Sequence, residues 1–196
     1  MRLLAELFGC TAAAPADAAA CIFCPDSVLS PAAGNRFEVV HSDARFLAFH
    51  DRSPAARVHL LAVPREHVDD VKVLRGAEGA ELVRALQRFA DEALDVLEAQ
   101  QSSFSDGGAG KGVPGERRFG FHIPPFRSVP HLHMHAQVLP FVSSMRALKY
   151  RAAGDPVGAR KGLSWYVTAT QAARILEGGG RVRVRPCAAR REENMA

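Results

Sequence analysis

His131, His133 and His135 occupy every second position of the run His131-Leu-His-Met-His-Ala-Gln137. Imidazole works as a base, a nucleophile or a metal ligand near neutral pH, so three in so short a run point to chemistry. Leu132, Met134, Ala136 and Val138 alternate with them, the period of two that belongs to a strand with one wet and one buried face. A strand over 131–139 aims the three rings the same way, roughly 6.5–7 Å apart. The alternative, three solvated surface histidines, sits poorly with a chain that has only eight. A second candidate is Cys21-Ile-Phe-Cys24. Two thiols two residues apart make a zinc half-site, a spacing that redox pairs and plain structural cysteines share.

Positioning these groups requires a sheet, and the flanking sequence supplies its strands. Glu38-Val-Val40 and Phe46-Leu-Ala-Phe49 are short strand candidates parted by the polar turn His41-Ser-Asp43. Asp51-Arg-Ser-Pro54 reads as a turn, since Ser-Pro favours turn initiation. Val58 to Val63 is a third strand, stopped by Pro64. From Asp69 to Gln100 apolar residues recur at helical spacing (Val71, Leu74, Leu82, Val83, Leu86, Phe89, Ala93, Leu94, Leu97), which predicts an amphipathic helix preceded by a separate turn near Gly76–Gly79. Ser102 to Arg118 holds five glycines and reads as a mobile loop. Its Gly110-Lys111 pair fails the phosphate-loop pattern, with Ser105 in place of the first glycine and Gly112 in place of Ser or Thr. Phe119–Phe121 and Leu163–Thr168 are further strands, and Gln171–Glu177 is a short helix ending at Gly178. The expectation is an α+β fold, an antiparallel sheet with one main helix and a short C-terminal helix.

The 196 residues, 47% hydrophobic and 23% charged, suit one domain with a real core plus tails. The organisation expected is an N-terminal extension over 1–20, a domain over 21–177 and a basic flexible tail over 178–196. No apolar run reaches 18 residues, so no membrane span is expected. The opening Met1-Arg-Leu-Leu-Ala-Glu-Leu-Phe8 lacks a basic n-region and reads as an extension, not a signal peptide. The net charge is a modest +4, but Arg181, Arg183, Arg185, Arg190 and Arg191 crowd the end. Such an end is a solvated tail or a surface for a phosphate-rich partner. Four scattered cysteines make no disulfide framework and point to a reducing compartment, cytoplasmic or nuclear.

His131-Leu-His-Met-His-Ala-Gln137 resembles the signature of the histidine triad (HIT) superfamily, with Gln137 departing at the last slot. Phe46-Leu-Ala-Phe-His-Asp-Arg-Ser-Pro54 followed by Val58-His-Leu-Leu-Ala-Val-Pro-Arg-Glu-His67 is similar to that family's strand-turn-strand segment. Gly120-Phe-His-Ile-Pro-Pro-Phe-Arg-Ser128 and Trp165-Tyr-Val-Thr168 resemble the branch called histidine triad nucleotide-binding protein 3. The likeness spans about residues 21–177 and implies that this stretch is a HIT domain.

The resemblance implies a nucleotide hydrolase that cleaves adenosine 5′-phosphoramidate or a related nucleoside monophosphate conjugate through a covalent nucleotidyl-histidine. It makes His133 the nucleophile. His135 is implied to bond the phosphate or the leaving group, Ser128 to bond the phosphate or the leaving atom, and His59 to be an additional histidine beside the triad. It implies that Asp51 accepts the ribose hydroxyls and that Ile22, Phe23 and Phe49 hold the purine of an AMP-type ligand. Ser128 and Asp51 are also ordinary turn residues, and the aromatics ordinary core. In zinc-bearing relatives the ligands match Cys21, Cys24, His67 and His131, a structural Zn2+ not required for the phosphoryl step. Gly120, where better-known members place an asparagine, and Arg52, at an apolar base-pocket position, depart from the pattern. A homodimer follows from the resemblance alone. Two other functions stand beside this one: aprataxin-like removal of 5′-adenylate from nucleic acid, supported by the Arg-rich end and Lys149-Tyr-Arg151, and a non-catalytic nucleotide-binding module.

Overall fold

Alternating side chains give each central strand two faces with different tasks. The computed structural model describes residues 21–30, 37–103, 115–125 and 128–189. In chain order its elements are α1 (Pro25–Val28), β1 (Val39–Ser42), β2 (Phe46–His50), β3 (Ala56–Pro64), α2 (Gly76–Ser103), β4 (Arg117–His122), β5 (Met134–Phe141), α3 (Ser144–Lys149), β6 (Arg160–Lys161), β7 (Tyr166–Thr168), α4 (Ala169–Glu177) and β8 (Cys187–Ala188). Six strands form one sheet in the order β1-β2-β3-β5-β4-β7, and every pairing in it is antiparallel. The fold is α+β, as the sequence predicts.

One face carries the main core. Phe46 and Ala48 of β2, Leu60 and Ala62 of β3, and Met134, Ala136 and Val138 of β5 pack with Val83, Leu86, Phe89, Ala90, Ala93, Leu94 and Leu97 of α2 and with Ile175 and Leu176 of α4. The residues between them, Leu47, Phe49, Leu61 and Val63, point to the other face and meet Cys21, Phe23 and Val28 of the N-terminal segment. A period of two in the strands against about 3.6 in α2 is what makes this two-layer packing. His59 and His135 share the parity of the second face, which is where the polar groups collect.

Several expectations need correction. The triple-histidine strand does not start at His131: β5 begins at Met134, where it pairs with Ala62. Two residues on, β3 ends in Pro64, which has no N–H to offer a longer ladder. Leu132 N–H instead donates to the Val68 carbonyl, so this stretch is held by the connection after β3. The main helix starts at Gly76 rather than Asp69; Gly76–Gly79 is its first turn, and the separate turn lies earlier, where Asp70 accepts from Lys72 N–H. Arg117 and Arg118 belong to β4 and Ser102 and Ser103 to α2, while 104–114, including Gly110-Lys111, lie outside the described residues.

The C-terminal reading also changes. Over 178–189 the chain is not a loose tail: Val182 is buried, and Cys187–Ala188 pairs with Arg160–Lys161 as a two-stranded sheet. The extension over 1–20 and the end over 190–196, with Arg190 and Arg191, lie outside the described residues. Helices α1 and α3 escape the sequence reading because four and six residues are too few to show a helical period. Among the described residues no helix is long and apolar enough to cross a membrane.

Candidate active site and candidate metal centre

The three histidines face different neighbours, and of them only His133 and His135 line a cavity. His133 Nδ1 lies 2.7 Å from the His131 carbonyl oxygen. A carbonyl only accepts, so Nδ1–H donates and a neutral ring carries its lone pair on Nε2. His135 stands on β5 between Leu61 of β3 and Gly120 of β4. Its Nδ1 is 2.9 Å from His59 Nε2 and its Nε2 is 3.0 Å from His122 Nδ1. Burial pushes His59 down to about 4 against the pull of Asp51, and burial lowers His122 and, well below the usual range, His135. These rings are neutral at pH 7.

This cavity, of about 580 Å³, is lined by Asp51, Ser53, His122, Ser128, His133, His135, Arg146, Lys149, Tyr150 and Trp165. Asp51 closes its own turn through Ser53 N–H (2.7 Å to Oδ1), and its Oδ2 lies 3.5 Å from His59 Nε2. One carboxylate oxygen therefore caps the turn while the other faces His59. Ser128 is exposed on the rim. Arg146 and Lys149, one helical turn apart on α3, bring positive charge to the pocket. The Tyr150 ring packs against His59, His122 and His135 at 5.0–5.6 Å between centroids, and burial raises its phenol.

Gly120 has a steric reason. A Cβ there would stand 2.5 Å from Tyr166 Oη and would also collide with the Val167 carbonyl. The glycine lets Tyr166 lean across β4 beside His122, 5.4 Å between ring centroids. Arg52 is exposed and does not line the cavity. Neither do the three residues expected to hold a purine. Phe49, 1% exposed, is enclosed by Phe23 and Phe37 as core, while Phe23 stands in front of it with its ring 5.5 Å from that of His133; Ile22 is 43% exposed at the surface. The sequence reading gave no site role to His122, Arg146 or Trp165, and named Lys149 and Tyr150 only as part of a nucleic-acid surface. The signal for His122 was its parity with Gly120 on a strand beside the triad.

The second constellation lies on the His131 side. Sγ of Cys21 is 3.3 Å from His131 Nδ1, Sγ of Cys24 is 3.3 Å from His67 Nδ1 and 3.7 Å from His131 Nδ1. Tetrahedral zinc, with its usual bond lengths to sulfur and nitrogen, separates S and N ligands by ~3.6 Å, and the observed values bracket that. Tautomers agree as well. His131 Nε2 donates to the Pro64 carbonyl (2.8 Å) and His67 Nε2 to Asp69 Oδ1 (3.2 Å), which leaves both Nδ1 lone pairs toward the thiols. The donor set therefore fits a metal ion. Burial pushes the Cys24 thiol up to about 11, with Cys21 adding to it; a bound cation reverses such a shift.

The family described as scavenger mRNA decapping enzyme C-term binding matches residues 26–150. The chain is 39% identical over 140 residues to the bifunctional adenosine 5′-phosphosulfate phosphorylase/adenylylsulfatase HINT4 of Arabidopsis thaliana, covering 71% of this chain and 83% of that protein. It is 32% identical over 129 residues to the adenosine 5′-monophosphoramidase HINT3 of Xenopus tropicalis, covering 64% and 74%. Among solved structures it is similar to a HIT family hydrolase from Clostridium thermocellum, with 22% identity, 63% of this chain and 94% of that chain covered, and a TM-score of 0.42.

Proposed function

The chain belongs to the histidine triad superfamily, in its HINT3-like branch, as a nucleotide hydrolase of that family, and on that footing we propose that it cleaves nucleoside monophosphate conjugates, adenosine 5′-phosphoramidate among them, through His133. The observation that carries this reading is the His133 Nδ1–H bond to the His131 carbonyl, because it sets the tautomer a nucleophile needs. In the first step the Nε2 lone pair attacks the α-phosphorus, a P–N bond forms, and the bond to the leaving group breaks with its electron pair. In the second step water attacks phosphorus, the P–N bond breaks, and the nucleoside monophosphate leaves with His133 restored. His135, Ser128 and the cations Arg146 and Lys149 surround the charge that develops on the phosphoryl oxygens. Asp51 Oδ2, on the same rim, suits the ribose hydroxyls, since a carboxylate accepts two donors at once. On the far side of His131, Cys21, Cys24, His67 and His131 would hold Zn2+. The ion's contribution there is to brace the N-terminal segment against the catalytic stretch.

The test is turnover and trapping together. Wild-type protein is mixed with a panel containing adenosine 5′-phosphoramidate, adenosine 5′-phosphosulfate, a dinucleoside polyphosphate and adenylated DNA, quenched rapidly and analysed by mass spectrometry. The expected result is a nucleotidyl adduct on His133, with His133→Ala folded and without turnover. Wild-type rates in the His133→Ala protein would remove the assignment. Tight binding with no turnover of any conjugate would make the chain a binding module instead.

A further inference from the structure

Proton positions on His59, His122 and His135, the last two lining the cavity, are dictated from both ends of one hydrogen-bond chain. At one end the Ala55 backbone N–H, which can only donate, lies 3.1 Å from His59 Nδ1. His59 Nδ1 therefore carries a lone pair and its proton sits on Nε2, facing His135 Nδ1 at 2.9 Å. At the other end the Lys149 carbonyl, which can only accept, lies 3.0 Å from His122 Nε2. A neutral His122 then presents its Nδ1 lone pair to His135 Nε2 at 3.0 Å. The two deductions meet on His135 and agree: Nδ1 accepts from His59, and Nε2–H donates to His122. For neutral rings no other tautomer set satisfies all four bonds.

The anchoring groups are themselves held. The Lys149 carbonyl belongs to the last residue of α3 and also accepts from Trp165 Nε1–H at 3.2 Å. An extra proton anywhere on the chain would set two donors face to face at one link. The lowered basicity that burial gives these rings works in the same direction. A cation among Asp51, His59 and His135 meets the same obstacle. It would need lone pairs on His59 Nε2 and His135 Nδ1, and the proton displaced to His59 Nδ1 would point at Ala55 N–H.

We propose that His122 is a positioning residue for His135: by accepting from Nε2–H it completes the chain that His59 begins and fixes the direction of the third triad ring, which stays neutral on the wall beside His133. Asn offers an amide oxygen close to where His122 Nδ1 stands, whereas Leu offers nothing, so the pair separates polarity from bulk. The kinetic consequence rests on the proposed hydrolase reading; the hydrogen bond from His135 to His122 does not.

The experiment therefore has two arms. Two-bond 15N–1H correlation spectra of the full chain near neutral pH report the imidazole tautomers, and steady-state kinetics with adenosine 5′-phosphoramidate report the consequence. Expected is an Nε2–H tautomer for His135 in all three proteins, since His59 still donates to Nδ1, with the Nε2–H signal showing the shift of a hydrogen-bonded proton in wild type and in His122→Asn and losing it in His122→Leu. Removing such a supporting bond typically costs about 10–100-fold in activity, here in kcat with KM changed less than about threefold, and His122→Asn should recover to within about tenfold of wild type. A cationic or Nδ1–H His135 in the wild type, or a folded His122→Leu protein with wild-type kcat, overturns the proposal. Should the Leu variant not fold, the wild-type and Asn spectra decide. Should wild type turn over no nucleotide conjugate, the hydrolase reading falls while the spectra still judge His122.

Discussion

Holding His59 neutral inside the protein makes stability depend on acid in a calculable way. Its folded-state value is pushed from 6.5 down to about 4 by burial, with Asp51 opposing and His122 and Arg146 assisting. The unfolded chain then takes up a proton before the folded one does. Above pH 6.5 the ring is neutral in both states and contributes nothing to the pH dependence. As pH falls through 6.5 the unfolded state gains, and the loss levels off only below 4. Carried through the linkage relation, His59 alone lowers stability by ~2 kcal/mol at pH 5 and ~3 kcal/mol at pH 4 relative to pH 8. For a chain of this length that is about 4–8 °C of melting temperature at pH 5. His122, His131 and His135 act in the same direction, so the perturbation must isolate one ring. His59→Gln does so, since Gln keeps a donor for His135 and does not titrate. Urea denaturation of both proteins at pH 8, 6, 5 and 4 gives the gap between them. Wild type should lose ~2 kcal/mol more than the variant by pH 5. A gap constant to within ~0.5 kcal/mol from pH 8 to 5 would refute a buried neutral His59.

Two further expectations concern packing and metal. Gly120→Ala places a methyl against Tyr166 Oη and the Val167 carbonyl; it should cost ~1–3 kcal/mol in denaturant unfolding, and adding Tyr166→Phe should return part of that, whereas wild-type stability in the single variant would show the contact relaxes freely. Zinc added at about 100 times its dissociation constant to chelator-treated protein should raise stability by ~2.7 kcal/mol, with Cys24→Ala losing that shift. A melting temperature indifferent to zinc in wild type would dismiss the Cys21, Cys24, His67 and His131 centre.

How much of this was readable in advance depended on how far apart the cooperating residues lie in the chain. The alternation in β2, β3 and β5 was legible because each strand writes its two faces into consecutive residues. Thus His59 and His135 could be put on the polar face from parity alone. His131 and His133 could not be placed outside the strand, since the ladder ends where β3 runs out at Pro64, a fact about another segment. His122 looked like one histidine before a stiff Pro124-Pro125 connection. Its role needs the pairing of β4 with β5, and the α3 carbonyl that faces it comes from 27 residues further on. Arg146, Lys149 and Tyr150 sit in and just after a six-residue helix, too short for a period to announce itself. The packed end around Val182 and Cys187 was hidden by its arginines, which dominate the composition while the buried residues fall between them.

The candidate metal centre and the proposed nucleophile are joined through one residue by two different parts of it. The His131 side chain points its Nδ1 at Cys21 and Cys24, and its Nε2–H is tied to the Pro64 carbonyl. Its backbone carbonyl, two residues before the nucleophile, accepts the His133 Nδ1–H that sets the ring's tautomer. Among the described residues the β3–β5 ladder runs only as far as Met134, where β5 starts. What holds the stretch before it is the Leu132 bond to Val68, together with the anchoring of the His131 side chain. An ion bound by the four ligands would therefore act on the reaction without touching phosphate, by fixing the carbonyl that orients His133. Spacing the histidines two apart is what lets a support site and a reacting ring share a single extended segment, with one ring facing each.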